Sequence, residues 1–206
     1  MQDNLKMLKN TYIMMSVMIM VSLVTAFTSN VCPYFTNMFT ESGVLFSVGV
    51  SALAILAMVG VIFTSSVPLT LLFSTFIGLS IGQILYTKDV SSDTLLLAGI
   101  GTIAIFVLTS YYTIKNYMKH DFSKMGTFLL VALITLIVMS IANIFIGLAW
   151  LEALLSYAAI ILFSGFIMYD TSEIMKGHYE NYVQASIGMF LNIVNIFINL
   201  VYVLED

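Results

Sequence analysis

Few side chains in this sequence could do chemistry inside an apolar setting. Asp170 ends one apolar run, and Asn192, Asn195 and Asn199 punctuate the last one. With Ala185 and Gly188, the three amides step by three and four residues, so on a helix they share one face. An unpaired amide in hydrocarbon is costly, so such a face turns away from lipid. Two readings follow. The stripe is a close-packed helix interface, with small residues admitting a neighbour and amides bonding across it. Alternatively, Asp170, Asn192, Asn195 and Asn199 line a path for something polar, a weak cation or proton pathway that Asp170 helps to form. In either case no side chain is assigned to catalysis, to a cofactor or to a metal cluster.

One enzyme pattern has to be weighed. Gly78-Leu79-Ser80-Ile81-Gly82 fits G-x-S-x-G, the nucleophile elbow, which requires a strand-to-helix turn and a positioned base. This copy lies within an apolar span, and the histidines, His120 and His178, fall between spans. Small residues at that spacing are read as helix-packing contacts. No H-E-x-x-H or EF-hand loop occurs, and Cys32 has no partner for an internal disulfide. Asp89 and Asp93 flank a loop as solvated charges. The expectation is a protein that is not an enzyme and carries no cofactor.

The elements that must position these residues are apolar throughout. Apolar residues make up 60% of the 206 and charged ones only 9%, with a mean hydropathy of +1.04. A soluble domain carries about 25% charged residues. The chain therefore reads as an all-α integral membrane protein. Its net charge of −4 comes from few charges and leaves no basic surface for nucleic acid. Seven runs approach the ~20 residues that a helix needs to cross hydrocarbon. They cover about 11–28, 44–63, 69–86, 94–114, 125–146, 151–169 and 182–203, and form one seven-span bundle over residues 1–206. The last helix, with its small-and-amide stripe, sits at the centre. Lysines ahead of the first run imitate a signal peptide, but that run is long and many spans follow. The stretch 30–42 reads as an outer loop, 64–68 as a tight connection, and 115–124 as the most basic loop.

Lysine placement sets the orientation. With seven spans, Lys6, Lys9, Lys115, Lys119, Lys124 and Lys176 fall on one side and only Lys88 on the other. By the positive-inside rule the N-terminus is cytoplasmic, while Cys32 and the C-terminal Glu205 and Asp206 are outside. Tyr12, Tyr86, Tyr111, Tyr112, Tyr169, Tyr182, Tyr202 and Trp150 lie near span ends as an aromatic belt.

Several short motifs now join up. Met168-Tyr169-Asp170-Thr171-Ser172-Glu173-Ile174, Asn181-Tyr182-Val183-Gln184-Ala185 and Asn192-Ile193-Val194-Asn195-Ile196-Phe197 resemble the closing signature of the Bax inhibitor-1 family. Lys9-Asn10-Thr11-Tyr12, Asp121-Phe122-Ser123 and Asn143-Ile144-Phe145 extend the match over nearly the whole chain. The pattern is most similar to the bacterial YccA-like branch, inner-membrane proteins associated with the membrane-anchored AAA protease FtsH. The resemblance implies a bundle with the seventh helix central. In calcium-leak members of the family, it further implies, aspartates on the sixth and seventh spans share a proton and an arginine on the second span latches the pore. Here Asp170 matches the first aspartate, Asn192 stands in place of the second, and the chain has no arginine.

The function expected is thus an inner-membrane protein that sits in the lipid bilayer and binds and modulates a membrane AAA protease of the FtsH type. The short polar N-terminus, residues 1–10, would be the part such a protease grips. The alternative is a pH-sensitive calcium or cation leak along the sixth and seventh helices. A calcium site wants six to eight oxygens, and the loss of one carboxylate weighs against it.

Overall fold

A computed structural model describes residues 2–205 of the chain. Seven helices are long and apolar enough to cross a membrane: α1 (Gln2–Val31), α3 (Gly43–Thr64), α4 (Val67–Lys88), α5 (Ser92–Asn116), α6 (Gly126–Ile146), α7 (Ala149–Lys176) and α8 (Tyr182–Glu205). A short helix, α2 (Pro33–Glu41), precedes α3, and a 3₁₀ turn (Phe122–Met125) leads into α6. Among the described residues there is no strand. The expected seven-span helical architecture is present. Asp206 lies outside the described residues.

The helices run further than hydropathy indicates. α1 begins at Gln2, so the polar N-terminal stretch is helical and not a free tail. α7 continues through Thr171-Ser172-Glu173 to Lys176, where the apolar run had suggested an end at Tyr169. Backbone hydrogen bonding does not stop where side chains turn polar; it stops at a cap. Here the cap is Gly177, whose φ of +77° is the left-handed conformation that glycine adopts without a Cβ penalty. The expected outer loop 30–42 is corrected too, because it contains α2. Its Pro33 is no breaker: at the first turn of a helix the missing N–H would have had no partner.

The chain folds into two compact units. One consists of Lys9–Val90 and Asn181–Phe190. Within it, α3 and α4 pack as an antiparallel hairpin and α2 lies against both. The Phe39 ring meets Phe46 at 5.1 Å and Tyr86 at 5.6 Å. Gly78 and Gly82 let α4 approach α1 closely. A Cβ on Gly78 would stand 2.5 Å from the Ser22 carbonyl oxygen, and one on Gly82 2.1 Å from Ser29 Oγ. The G-x-S-x-G motif therefore lies in mid-helix, as a packing surface, and Ser80 Oγ donates to the Phe76 carbonyl of its own helix at 3.2 Å. Gln83 ties α4 to α3, accepting from Ser47 Oγ at 2.7 Å and donating to the Gly43 carbonyl at 2.8 Å.

The other unit consists of Met1–Leu8, Ser91–Glu180 and Leu191–Asp206. α7 is its hub, packing against α5, α6 and the 3₁₀ turn. Gly126 and Gly165 mark close approaches between α6 and α7, with Tyr169 and Leu129 filling the space beside them. α8 contributes to both units and is the most buried of the seven long helices, with 44% of its apolar window covered against 11% for α6.

Candidate functional site

Asp170 and Asn192 meet. Asn192 Nδ2 donates to Asp170 Oδ2 at 2.8 Å, a buried bond between α7 and α8. The extension of α7 past Asp170 makes this possible, because six further residues carry the carboxylate inward from the helix end. The second oxygen, Oδ1, accepts from the Tyr179 hydroxyl at 3.2 Å. Tyr179 comes from the short connection after Gly177. Burial, and then the charge of Asp170, push its phenol above the ordinary value, so it holds its proton and acts as donor. Both side chains of the central pair are 6% exposed. Burial at this depth disfavours a carboxylate unless its oxygens are bonded. Two neutral donors aimed at its oxygens offset that penalty.

The remaining amides behave otherwise. Asn195 Nδ2 donates to the Leu191 carbonyl and Asn199 Nδ2 to the Asn195 carbonyl, each at 2.8 Å within α8. The bonds expected to run across helices are, for these two, spent on the preceding turn. Of the four sequence-derived candidates the fold therefore joins Asp170 and Asn192 only. Asn199 instead lines a separate cavity at the other end of α7.

Three contacts around the Asp170 end of α7 were not readable from spacing. Lys176, in its last turn, pairs with the Asp121 carboxylate and donates to Ser123 Oγ at 2.7 Å. This gives the Asp121-Phe122-Ser123 motif a physical role: it fastens the start of α6 to the end of α7. The hydrogen bonds from Lys176 and Ser123 hold the Asp121 carboxyl down at about 2. Asn4 Nδ2 donates to the Met175 carbonyl at 2.8 Å, occupying an acceptor that the helix end leaves open. Glu173 Oε1 and His178 Nδ1 meet at 3.1 Å. Among the described residues no group of three or more His, Cys, Asp or Glu side chains gathers as a metal site.

A family profile described as "Inhibitor of apoptosis-promoting Bax1" matches residues 4–206. The chain belongs to the Bax inhibitor-1 family. Within that family it is 31% identical over 215 residues to a membrane protein of Vibrio cholerae, covering 97% of this chain and 88% of the relative. It is 29% identical over 209 residues to the Escherichia coli protein named modulator of FtsH protease YccA, covering 97% and 89%. A Golgi anti-apoptotic protein of vaccinia virus shares 41% identity over 105 residues, half of this chain and 44% of the relative. A Bax inhibitor-1 family protein with seven long apolar helices is a multi-pass membrane protein.

Proposed function

We propose that this member of the Bax inhibitor-1 family is a bacterial inner-membrane protein that binds and modulates a membrane-anchored AAA protease of the FtsH type. Supporting this reading is the likeness to YccA over 97% of the chain. The carrying observation in the geometry is that both oxygens of Asp170 already accept bonds from neutral donors, Asn192 and Tyr179. A calcium ion would need six to eight oxygens and carboxylate charge. This site offers one carboxylate, engaged on both sides. The arrangement supports a role in holding α7 to α8 and presenting a rigid end of α7 to a partner. In the proposed orientation that end faces the cytoplasm, where the protease domain would work. The N-terminal grip takes a different form from a loose tail, since Asn4 is bonded to Met175 and must be released before residues 2–10 can be pulled.

The test is co-purification of the tagged protein with an FtsH-type protease, together with the degradation rate of a membrane substrate in mixed proteoliposomes. Binding and a slowed rate are expected; no binding and an unchanged rate would sink the proposal. A cation leak is the second reading, favoured by a buried carboxylate in a spanning helix. In vesicles loaded with a calcium dye the parent is expected to be tight between about pH 6 and 8. Asn192→Asp, which puts two carboxylates together, is expected to pass calcium in a pH-dependent way. Strong pH-gated flux through the parent would replace modulation by conduction.

A further inference from the structure

Between Lys9 and Lys88 the chain carries a single charged side chain, Glu41. It lies on α2, the nine-residue helix that joins the end of α1 to the start of α3. At about 100° per residue, Tyr34, Phe35, Met38 and Phe39 fall within an arc of about 140° around α2. Thr36, Asn37, Thr40 and Glu41 take the opposite side, which makes α2 amphipathic. Asn37, Thr40 and Glu41 are exposed, as a water-facing side requires.

The chain covers only one edge of the apolar side. Phe39 is 4% exposed, seated against Phe46 of α3 and Tyr86 of α4. Phe35 and Met38 are half-buried. Tyr34, on the far edge, is 69% exposed, its ring edge-on to Phe35 at 5.7 Å. The uncovered edge does not begin there. Val24, Phe27 and Val31, spaced by three and four residues on α1, are exposed and lead up to it, and Val44 and Leu45 are exposed at the start of α3. In a multi-pass membrane protein such span side chains meet lipid, so the Tyr34 edge continues a lipid-facing surface.

We propose that α2 lies in the headgroup–acyl boundary of the leaflet that α1 reaches at Val31, with Tyr34 and Met38 immersed and Asn37, Thr40 and Glu41 in water. A tyrosine suits that depth, because its ring is apolar while its hydroxyl stays hydrated. The partner is the uncharged part of the lipid: α2 has no lysine or arginine to attract an anionic headgroup, and Glu41 repels one. Phe39 carries this anchoring to the α3–α4 hairpin through Phe46 and Tyr86.

Spin labels on the full chain in phosphatidylcholine vesicles test this. Tyr34→Cys and Asn37→Cys are each made together with Cys32→Ser, since Cys32 is an N-cap without a side-chain bond and serine suits that position. The label at 34 is expected to collide several-fold more with lipid-dissolved oxygen than with a water-soluble nickel chelate, and the label at 37 the reverse. Tyr34→Trp, made with Trp150→Phe to remove the chain's one tryptophan, keeps an aromatic ring in place. Lipids brominated near the top of the acyl chain are expected to quench it more than lipids brominated at the tail. Adding phosphatidylglycerol should change neither result. Nickel reaching position 34 as readily as 37 would put α2 in water and overturn the proposal. So would a position 34 closed to both reagents, as under a second copy of the chain, stronger quenching from the tail, or a lipid contact that appears only with phosphatidylglycerol.

Discussion

At one end of α7, Asp170 is buried and both its oxygens are bonded; at the other, Glu152 is exposed in the first helical turn, beside a cavity. About 27 Å of helix separates them. The Asp170 end is also tied down by Lys176 to Asp121 and by Asn4 to Met175, whereas α6 beside the Glu152 end is the least buried of the long helices. The same acidic chemistry is enclosed by the chain in one place and reaches the surface in the other. Burial and hydrogen bonding, more than residue type, decide which.

The largest effect that would break this contrast is expected from Asn192→Leu. It strips the buried carboxylate of its amide donor and should cost about 2 kcal/mol, seen as a lower melting temperature in detergent. A variant as stable as the parent would show that the Asp170 end is not held by this bond. Asn4→Ala comes next, at about 1 kcal/mol, with faster N-terminal proteolysis in limited digests as its sharper readout. Unchanged digestion would mean that the first turn of α1 is held by other contacts.

The Lys176–Asp121 pair is part-exposed and sensitive to acid and salt. Because the folded Asp121 carboxyl is lowered from 3.8 to about 2, its contribution is present above about pH 4 and is lost as pH falls through about 2. Lys176→Met should therefore melt below the parent at neutral pH and converge with it in acid. A gap that stays constant would place the effect in lost side-chain packing instead.

The smallest effects are expected from Asn195→Leu and Glu152→Gln, each within about 0.5 kcal/mol of the parent. Asn195 bonds only its own helix and Glu152 is exposed. Should Asn195→Leu rival Asn192→Leu in cost, the amide stripe would be acting as one interface and the contrast drawn here would be too narrow.

These comparisons also show what the sequence made legible. The seven spans were readable because a lipid-crossing helix needs a long apolar run, and each run survives as a helix. That Asp170 and Asn192 belong together followed from the resemblance, in which they occupy the two aspartate positions, and their hydrogen bond joins them in the fold. The extension of α7 was not readable, since Thr171 to Lys176 are polar and hydropathy measures side chains while the helix is held by its backbone. α2 was missed because the stretch 30–42 is too short and too polar to read as a span, and Pro33 at its first turn marks a helix start. Tyr179, Asn4 and the Lys176–Asp121 pair were hidden for another reason. Asn4 and Met175 are 171 residues apart, and Lys176 and Asp121 are 55 apart, so nothing local marks them as neighbours until the fold brings them together. Asn195 and Asn199 misled in the opposite direction, because an amide within reach of its own preceding turn does not need a second helix.

The Gly177 cap sets the phase of the whole hairpin. Asp170 lies about 9 Å back from the end of α7 and Asn192 about 15 Å into α8, and the connection between them absorbs the difference. Adding one residue between Tyr182 and Asn192 would turn the amide by about 100° around its axis and point it away from the carboxylate. Adding four would bring it back to nearly the same bearing but about 6 Å out of step. The partnership therefore depends on a count of residues as much as on their identity, and the spacing from Gly177 to Asn192 behaves like the tooth pitch of a gear.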